Sequence, residues 1–279
     1  MPSPGEVSIF TVSASSQCHE GQRGHVVVSG SYGGEYNAFH AGKWGIRGVV
    51  LNDAGIGKER AGVRGLDYLD RVGLAAATAD CMTCHIADGD HMLANGRISH
   101  VNQAAAALGC KVGQRVRDCA ELMKAGTPAN AELPAIKGGK RFTLREEEGE
   151  PKVICLDAAP MLEDADAGAI AITGSHAALF RGQPDDVIKP QLHAVFFSDG
   201  GVGLDKAGVW RLPELDKRGI PAGAIAAMSA PIGDARGIYR DGVFSHVNAT
   251  AEALGARPGQ RLCNFVDRLL VAARKQAGQ

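Results

Sequence analysis

The chain has 279 residues, 45% hydrophobic and 22% charged, an ordinary globular composition that excludes a disordered chain, a collagen repeat and a coiled coil. With 30 Lys plus Arg against 31 Asp plus Glu the net charge is -1, so no basic excess exists to release phosphate counterions and nucleic acid is excluded as a general partner. Aromatics make up only 5% while glycine numbers 37, a balance that suits tight turns and close backbone approaches.

No basic segment leads into an apolar run at the N-terminus, and nowhere do about 18 apolar residues run uninterrupted, so a cytoplasmic protein with no membrane segment is expected. The β-branched run Val26-Val27-Val28, leading into Ser29-Gly30-Ser31, predicts a first strand. Gly48-Val49-Val50-Leu51, ending in Asn52-Asp53-Ala54-Gly55, predicts a second, and Leu74-Ala75-Ala76-Ala77-Thr78 a third that ends at Asp80-Cys81. Continuous apolar runs of this kind suit buried parallel strands. Between the last two, Ala61, Leu66 and Leu69 keep roughly helical spacing over residues 58–71, and Gly73 ends that helix. Ser99 reads as the N-cap of a helix through Leu108, closed by Gly109, and residues 114–124 read as the next helix.

A repeat organises the rest. Residues 52–115 match residues 198–261 without a gap at an offset of 146, with 26 identities in 64 positions. The pairs include Asp53 with Asp199, Gly55 with Gly201, Gly57 with Gly203, Asp88 with Asp234, and Ser99-His100-Val101-Asn102 with Ser245-His246-Val247-Asn248. At an offset of 144, Ser29-Gly30-Ser31 pairs with Thr173-Gly174-Ser175. The second copy repeats the strand runs at Ala169-Ile170-Ala171-Ile172, Ala194-Val195-Phe196-Phe197 and Ala222-Gly223-Ala224-Ile225. The expected fold is α/β: an internally duplicated chain of two similar α/β halves, residues 1–126 and 150–279, with mostly parallel sheets related by a pseudo-two-fold. Residues 127–149, with Pro128, Pro134, Gly138, Gly139 and Glu146-Glu147-Glu148, form a linker with a charged hairpin. Such a pairing places a ligand site at the junction, and exposed sheet edges predict a homodimer.

Ligands of open parallel sheets bind beyond the carboxyl ends of the strands, so residues 29–34, 52–58, 80–92 and their partners are the candidate loops. Around Gly30 and Ser31, and around Gly174 and Ser175, backbone N–H groups can face an anion, a carboxylate before a polyphosphate because the P-loop spacing is missing. Asp53, Gly55 and Lys58 stand together at one strand end, whereas the second half keeps Asp199 and replaces the lysine by Leu204. Substrate binding and simple turn capping are both open to Asp53 and Asp199.

Cys81-Met82-Thr83-Cys84-His85 spells the attachment motif of c-type haem and contains a CxxC. The second half builds the same loop from Ala227, Met228, Ser229, Ala230 and Pro231, which argues against haem and against a redox pair. Cys81, Cys84, His85, Asp88, Asp90 and His91 offer donors to a divalent ion, although in no standard zinc spacing. The expectation is therefore no cofactor, with a divalent metal as the alternative. Cys84 or Ser31 can attack a carbonyl with a histidine as base. His100 and His246 allow acid–base work or a structural role, and His176, which replaces Tyr32 at a strand end, is the better catalytic histidine. The seven cysteines, an odd number spread over a long chain, predict free thiols, with Cys110, Cys119, Cys155 and Cys263 packed in the core.

The first half offers Lys58, Cys81, Cys84, His85 and His91, the second His176 and Arg181, a divergence that one composite site explains. The resulting expectation is a cytoplasmic hydrolase of an amide or related carbonyl bond in a small polar, carboxylate-bearing metabolite. Ser31, Lys58, Cys84, His85 and His176 are its catalytic candidates, and Gly30, Asp53, Gly55, Asp88, Gly174, Ser175 and Asp199 its binding candidates. A racemase or isomerase with one acid or base from each half, and a non-catalytic small-molecule binder, are the rivals.

Overall fold

A computed structural model describes residues 6–129, 131–136, 139–184 and 188–277; the linker's Gly138 and both extreme termini lie outside them. The first half holds a five-stranded sheet, β1 Ile9–Val12, β2 Val26–Tyr32, β3 Gly48–Asn52, β4 Ala75–Ala79 and β5 Ile98–Val101, in that spatial order. Its pairings are parallel except β4 with β5. The second half holds six strands, β6 Arg141–Arg145, β7 Val153–Leu156, β8 Ile170–His176, β9 Ala194–Ser198, β10 Ala222–Ile225 and β11 Phe244–Val247, parallel in the middle and antiparallel at both edges.

Helices α1 Glu35–Gly42, α2 Arg64–Asp70, α3 Gly89–Asn95, α4 Gln103–Ala107 and α5 Val116–Met123 serve the first sheet. The second has α6 Arg211–Lys217, α7 Ala235–Asp241, α8 Ala249–Ala253 and α9 Leu262–Ala277. From β3 onward, matching elements start 146 or 147 residues apart, as at 48 and 194, 75 and 222, or 103 and 249. β1 and β7 start 144 apart, at 9 and 153.

Both faces of each sheet are covered, which is why the strands are apolar without alternation. Val26, Val28 and Val50 pack against Met92, Val116 and Met123 on one face, while Val27, Val49 and Leu51 pack against Ala38, Leu66 and Leu69 on the other. In the second half Ile172 and Phe196 meet Ile238, Phe265 and Leu269, and Ile154 and Val195 meet Leu212 and Leu215. Phe196, Phe244 and Phe265 form an edge-on trio with centroids 5.6 to 6.0 Å apart. Their counterparts at offset 146 are Val50, Ile98 and Cys119, so the Cys119 thiol fills core volume in the first half.

Several local expectations change. Ser99 does not cap a helix: it lies in β5, and Asn102 caps α4 by accepting the Ala105 N–H at 2.9 Å. The helix expected over 58–71 splits into a 3-10 turn at Lys58–Arg60 and α2, because Glu59 and Arg60 take left-handed backbone angles that an α-helix cannot hold. Residues 29–32 and 174–176 are not free loops but the ends of β2 and β8, each beyond a register shift against the neighbouring strand. Residues 141–145 of the linker form the edge strand of the second sheet. All seven cysteines are free; Cys263 is half-buried and the other six are buried. Among the described residues no helix is long and apolar enough to cross a membrane.

The halves meet where the carboxyl ends of their central strands face each other, and the contacts are reciprocal, as a two-fold relation produces. Lys58 N–H donates to Ala227 O and Leu204 N–H to Cys81 O, both at 2.8 Å. Gly55 and Gly201 abut so closely that a Cβ on Gly201 would stand 2.7 Å from Gly55 Cα. Tyr32, Ala54, Ile86 and Ala87 from one side and Ala178, Ala207 and Ile232 from the other close a small apolar core there.

Candidate functional site

The strand ends place Ser31 and Tyr32 opposite Ser175 and His176, and between them lies a cavity of ≈ 200 Å³. Tyr36, Asn37, Ala14 and Ser16 complete its wall from the first half, and Asp157, Phe180, Met161 and Arg211 from the second. The scaffold on the two sides corresponds: Ser31 Oγ accepts the Ser15 N–H at 2.9 Å, and Ser175 Oγ accepts the Ala159 N–H at 2.8 Å. Each serine thereby ties down the loop that follows the adjacent edge-side strand, β1 or β7, and keeps its own proton to donate.

The chemistry of the two sides does not correspond. Among the described residues, every charged group of the lining, Asp157 and Arg211, and its histidine come from the second half. Asp157 stands where the first half has Ser13, His176 where it has Tyr32, and Arg211 where it has Gly65, at offsets of 144, 144 and 146. Asp157 Oδ2 accepts the Lys140 N–H at 3.0 Å and Oδ1 the Ala235 N–H at 3.3 Å. Burial raises its pKa above the usual carboxylate value, outweighing those two bonds, and Asp234 adds to the rise. His176 Nδ1 accepts the Ala178 N–H at 3.2 Å, which leaves the ring proton on Nε2. Arg211 is buried, donates from Nη1 to His176 O at 3.3 Å and lies over the Phe197 ring at 5.6 Å. Burial also raises the Tyr32 phenol well above its ordinary value, so it stays a neutral hydroxyl beside Gly233.

The remaining sequence candidates fall outside this cavity. Gly30 and Gly174 face backbone rather than an anion: a Cβ on Gly30 would lie 2.4 Å from Asp88 N, and one on Gly174 2.4 Å from Asp157 O. Ala87 N–H donates to Gly30 O and Gly233 N–H to Gly174 O, so these glycines admit the crossing loops. Asp53 Oδ1 accepts the N–H groups of Gly55 and Cys81, and Asp199 Oδ1 those of Gly201 and Ala227, at 2.9 to 3.0 Å. Asp88 caps α3 through the His91 N–H. These three carboxylates hold the junction loops in shape.

Lys58 reaches across the junction, with Nζ 3.2 Å from Ser229 O and 3.8 Å from Asp241. On the corresponding side His85 Nε2 donates to Asp205 at 2.8 Å, stacks on His91 at 3.7 Å and meets the edge of Trp210. Arg181 pairs with Asp90 at 3.1 Å. Burial and the neighbouring His85 push the His91 pKa down. Cys84 is fully buried against Asn52, its thiol pushed up to about 12 by burial, so it is not a thiolate nucleophile near neutral pH.

The expected metal set is not assembled. Among the described residues one trio of ligand-type side chains converges, Asp53, Asp80 and Cys81, and Cys84, His85, Asp88 and His91 stand apart from it. Asp53 and Asp80 already accept backbone N–H groups, and burial holds the Cys81 thiol protonated. His100 and His246 sit on edge strands, each 3.1 to 3.2 Å from the preceding serine hydroxyl.

Sequence reasoning missed Asp157, Arg211, Tyr36 and Phe180. A usable signal existed for Asp157, which directly follows the apolar run Val153-Ile154-Cys155-Leu156 and so stands at a strand's carboxyl end. No family model, curated protein or solved structure matches this chain.

Proposed function

We propose that the protein is a cytoplasmic enzyme that holds a small, polar, carboxylate-bearing metabolite in the junction cavity and hydrolyses an amide or related carbonyl bond in it. The observation that carries this reading is that Ser31 and His176, from matching strand ends of opposite halves, line one cavity together with the buried cation Arg211. The Ser31 hydroxyl attacks the carbonyl carbon, the C–N bond breaks, and the hydroxyl proton leaves with the departing nitrogen. Water then splits the acyl ester and restores the serine. His176, protonated on Nε2, serves as the donor to the carbonyl oxygen as negative charge develops there, a different part from the base that the sequence suggested. No cofactor is required for these steps, and free thiols suit a reducing compartment.

A racemase needs opposed proton-transfer groups on the two faces of its ligand. In this cavity Asp157 and His176 both belong to the second half, and among the described residues the first supplies alanine, serine, asparagine and tyrosine. A panel of amino-acid amides, N-acyl amino acids and small lactams, followed by proton NMR, tests the hydrolase. Turnover that is lost in Ser31→Ala and His176→Ala but kept in Lys58→Ala supports it. Turnover that survives both cavity substitutions, or binding of panel members with no turnover in the unaltered protein, overturns it.

A further inference from the structure

The lining of the cavity says more about the ligand than that it carries a carboxylate. Asp157 faces the cavity as a half-buried carboxylate, and among the described residues no lysine, arginine or histidine lies within 4.0 Å of it. Its oxygens take one backbone N–H each, from Lys140 and Ala235, and each keeps a further lone pair. A carboxylate held out of water is disfavoured as an anion, and the pKa of Asp157 is raised by that burial and by the Asp234 carboxylate, which its two backbone N–H bonds and the Arg236 guanidinium oppose only in part. A ligand that brings a positive charge relieves it, while the guanidinium of Arg211 offers the same wall an anion partner. Both groups lack a charged counterpart in the first half, whose corresponding residues are Ser13 and Gly65, so neither is needed to build this type of strand end.

We propose that the cavity takes a zwitterion of the amino-acid class, its ammonium on Asp157 and its carboxylate on Arg211, with an amide in its side chain presented to Ser31 and His176. The inference rests on the cavity being the substrate site, as proposed above. Tyr36, Phe180 and Met161 supply the apolar wall for the connecting methylenes. Two charged anchors on one side fix the orientation of so small a molecule, and only its third arm is left to reach the opposite half.

The test is calorimetric titration of the full chain with L-glutamine and L-asparagine, and with the analogues of each that lack the amino group or the carboxylate. The expected result is that removing the amino group weakens binding at least about tenfold in the unaltered protein and less than about threefold in Asp157→Asn, since the substitution removes the charge that the ammonium meets. Removing the carboxylate weakens binding comparably, and that loss persists in Asp157→Asn. Equal affinity for the amide and its des-amino analogue overturns the zwitterion while leaving a carboxylate site at the junction intact. Absence of binding by every compound, with thermal unfolding of the protein unmoved by any of them, overturns both readings.

Discussion

Replacing Gly201 by alanine tests the junction directly. Gly201 has φ +76°, where an L-residue other than glycine costs about 1–2 kcal/mol. Its Cβ would also stand 2.7 Å from Gly55 Cα and Gly55 N and 2.8 Å from Ala54 C, backbone atoms that cannot swing aside. Forcing a methyl into such a contact costs about 1–3 kcal/mol more. The sum, about 2–5 kcal/mol, is a large share of the stability of an ordinary domain. Gly219→Ala is the control, because Gly219 has a similar φ of +65° but no atom within 4 Å of the point its methyl would occupy, so it carries the backbone cost alone. Urea unfolding followed by the fluorescence of Trp44 and Trp210 measures both, the second tryptophan lying at the junction itself. If Gly201→Ala lowers stability no more than Gly219→Ala does, the two glycine loops do not abut and the facing arrangement of the halves is wrong.

Asn102→Ala and Asn248→Ala should each cost about 3 kcal/mol in the same assay, since each side chain bonds two backbone N–H groups and at least one carbonyl inside the core. Asp166, held by Arg141 and the Glu163 N–H, has its pKa lowered, chiefly by the arginine; its stabilisation is present above the ordinary carboxylate value of 3.8 and fades as pH falls through the lower folded value. Asp166→Asn should therefore destabilise the protein at pH 7, by an amount that shrinks in acid, and a difference independent of pH would refute the pairing. Brief alkylation of the native protein should label Cys263 before any other cysteine, as mass mapping of the adducts would reveal, because the other six thiols are buried and those of Cys84 and Cys155 are pushed up to about 12. Ser31→Ala and Ser175→Ala should lower stability about equally, by about 1 kcal/mol, as each removes one loop-tying bond, yet Ser31→Ala alone should abolish turnover.

The buried strands could be read from the sequence because a strand covered on both faces has no polar face to break its apolar run, as Val26-Val27-Val28 and Gly48-Val49-Val50-Leu51 illustrate. The edge strand β5 could not, because its four residues, Ile98–Val101, are too short for alternation to register and begin beside a serine that caps helices well. The true cap, Asn102, stands three residues later and is equally suited by type. Ser31 and His176 were found because the repeat aligned them at strand ends. Arg211 was missed because its sequence neighbours say nothing about the cavity that a distant loop completes, whereas Asp157 was missed although the apolar run before it marks a strand end.

Comparing the halves separates scaffold from chemistry more sharply than either half does alone. Where both halves carry the same residue with the same partners, as with Asp53 and Asp199 or Asn102 and Asn248, the partners are backbone groups of the fold, and the residue is explained without any ligand. At Asp157, His176 and Arg211 the first half manages with Ser13, Tyr32 and Gly65, so the architecture does not demand these residues; yet all three border one cavity. Three residues that the architecture leaves optional, gathered around a single space, are what a ligand site requires, and the asymmetry gives that ligand one orientation, its charged end on the second half and its reacting end toward Ser31.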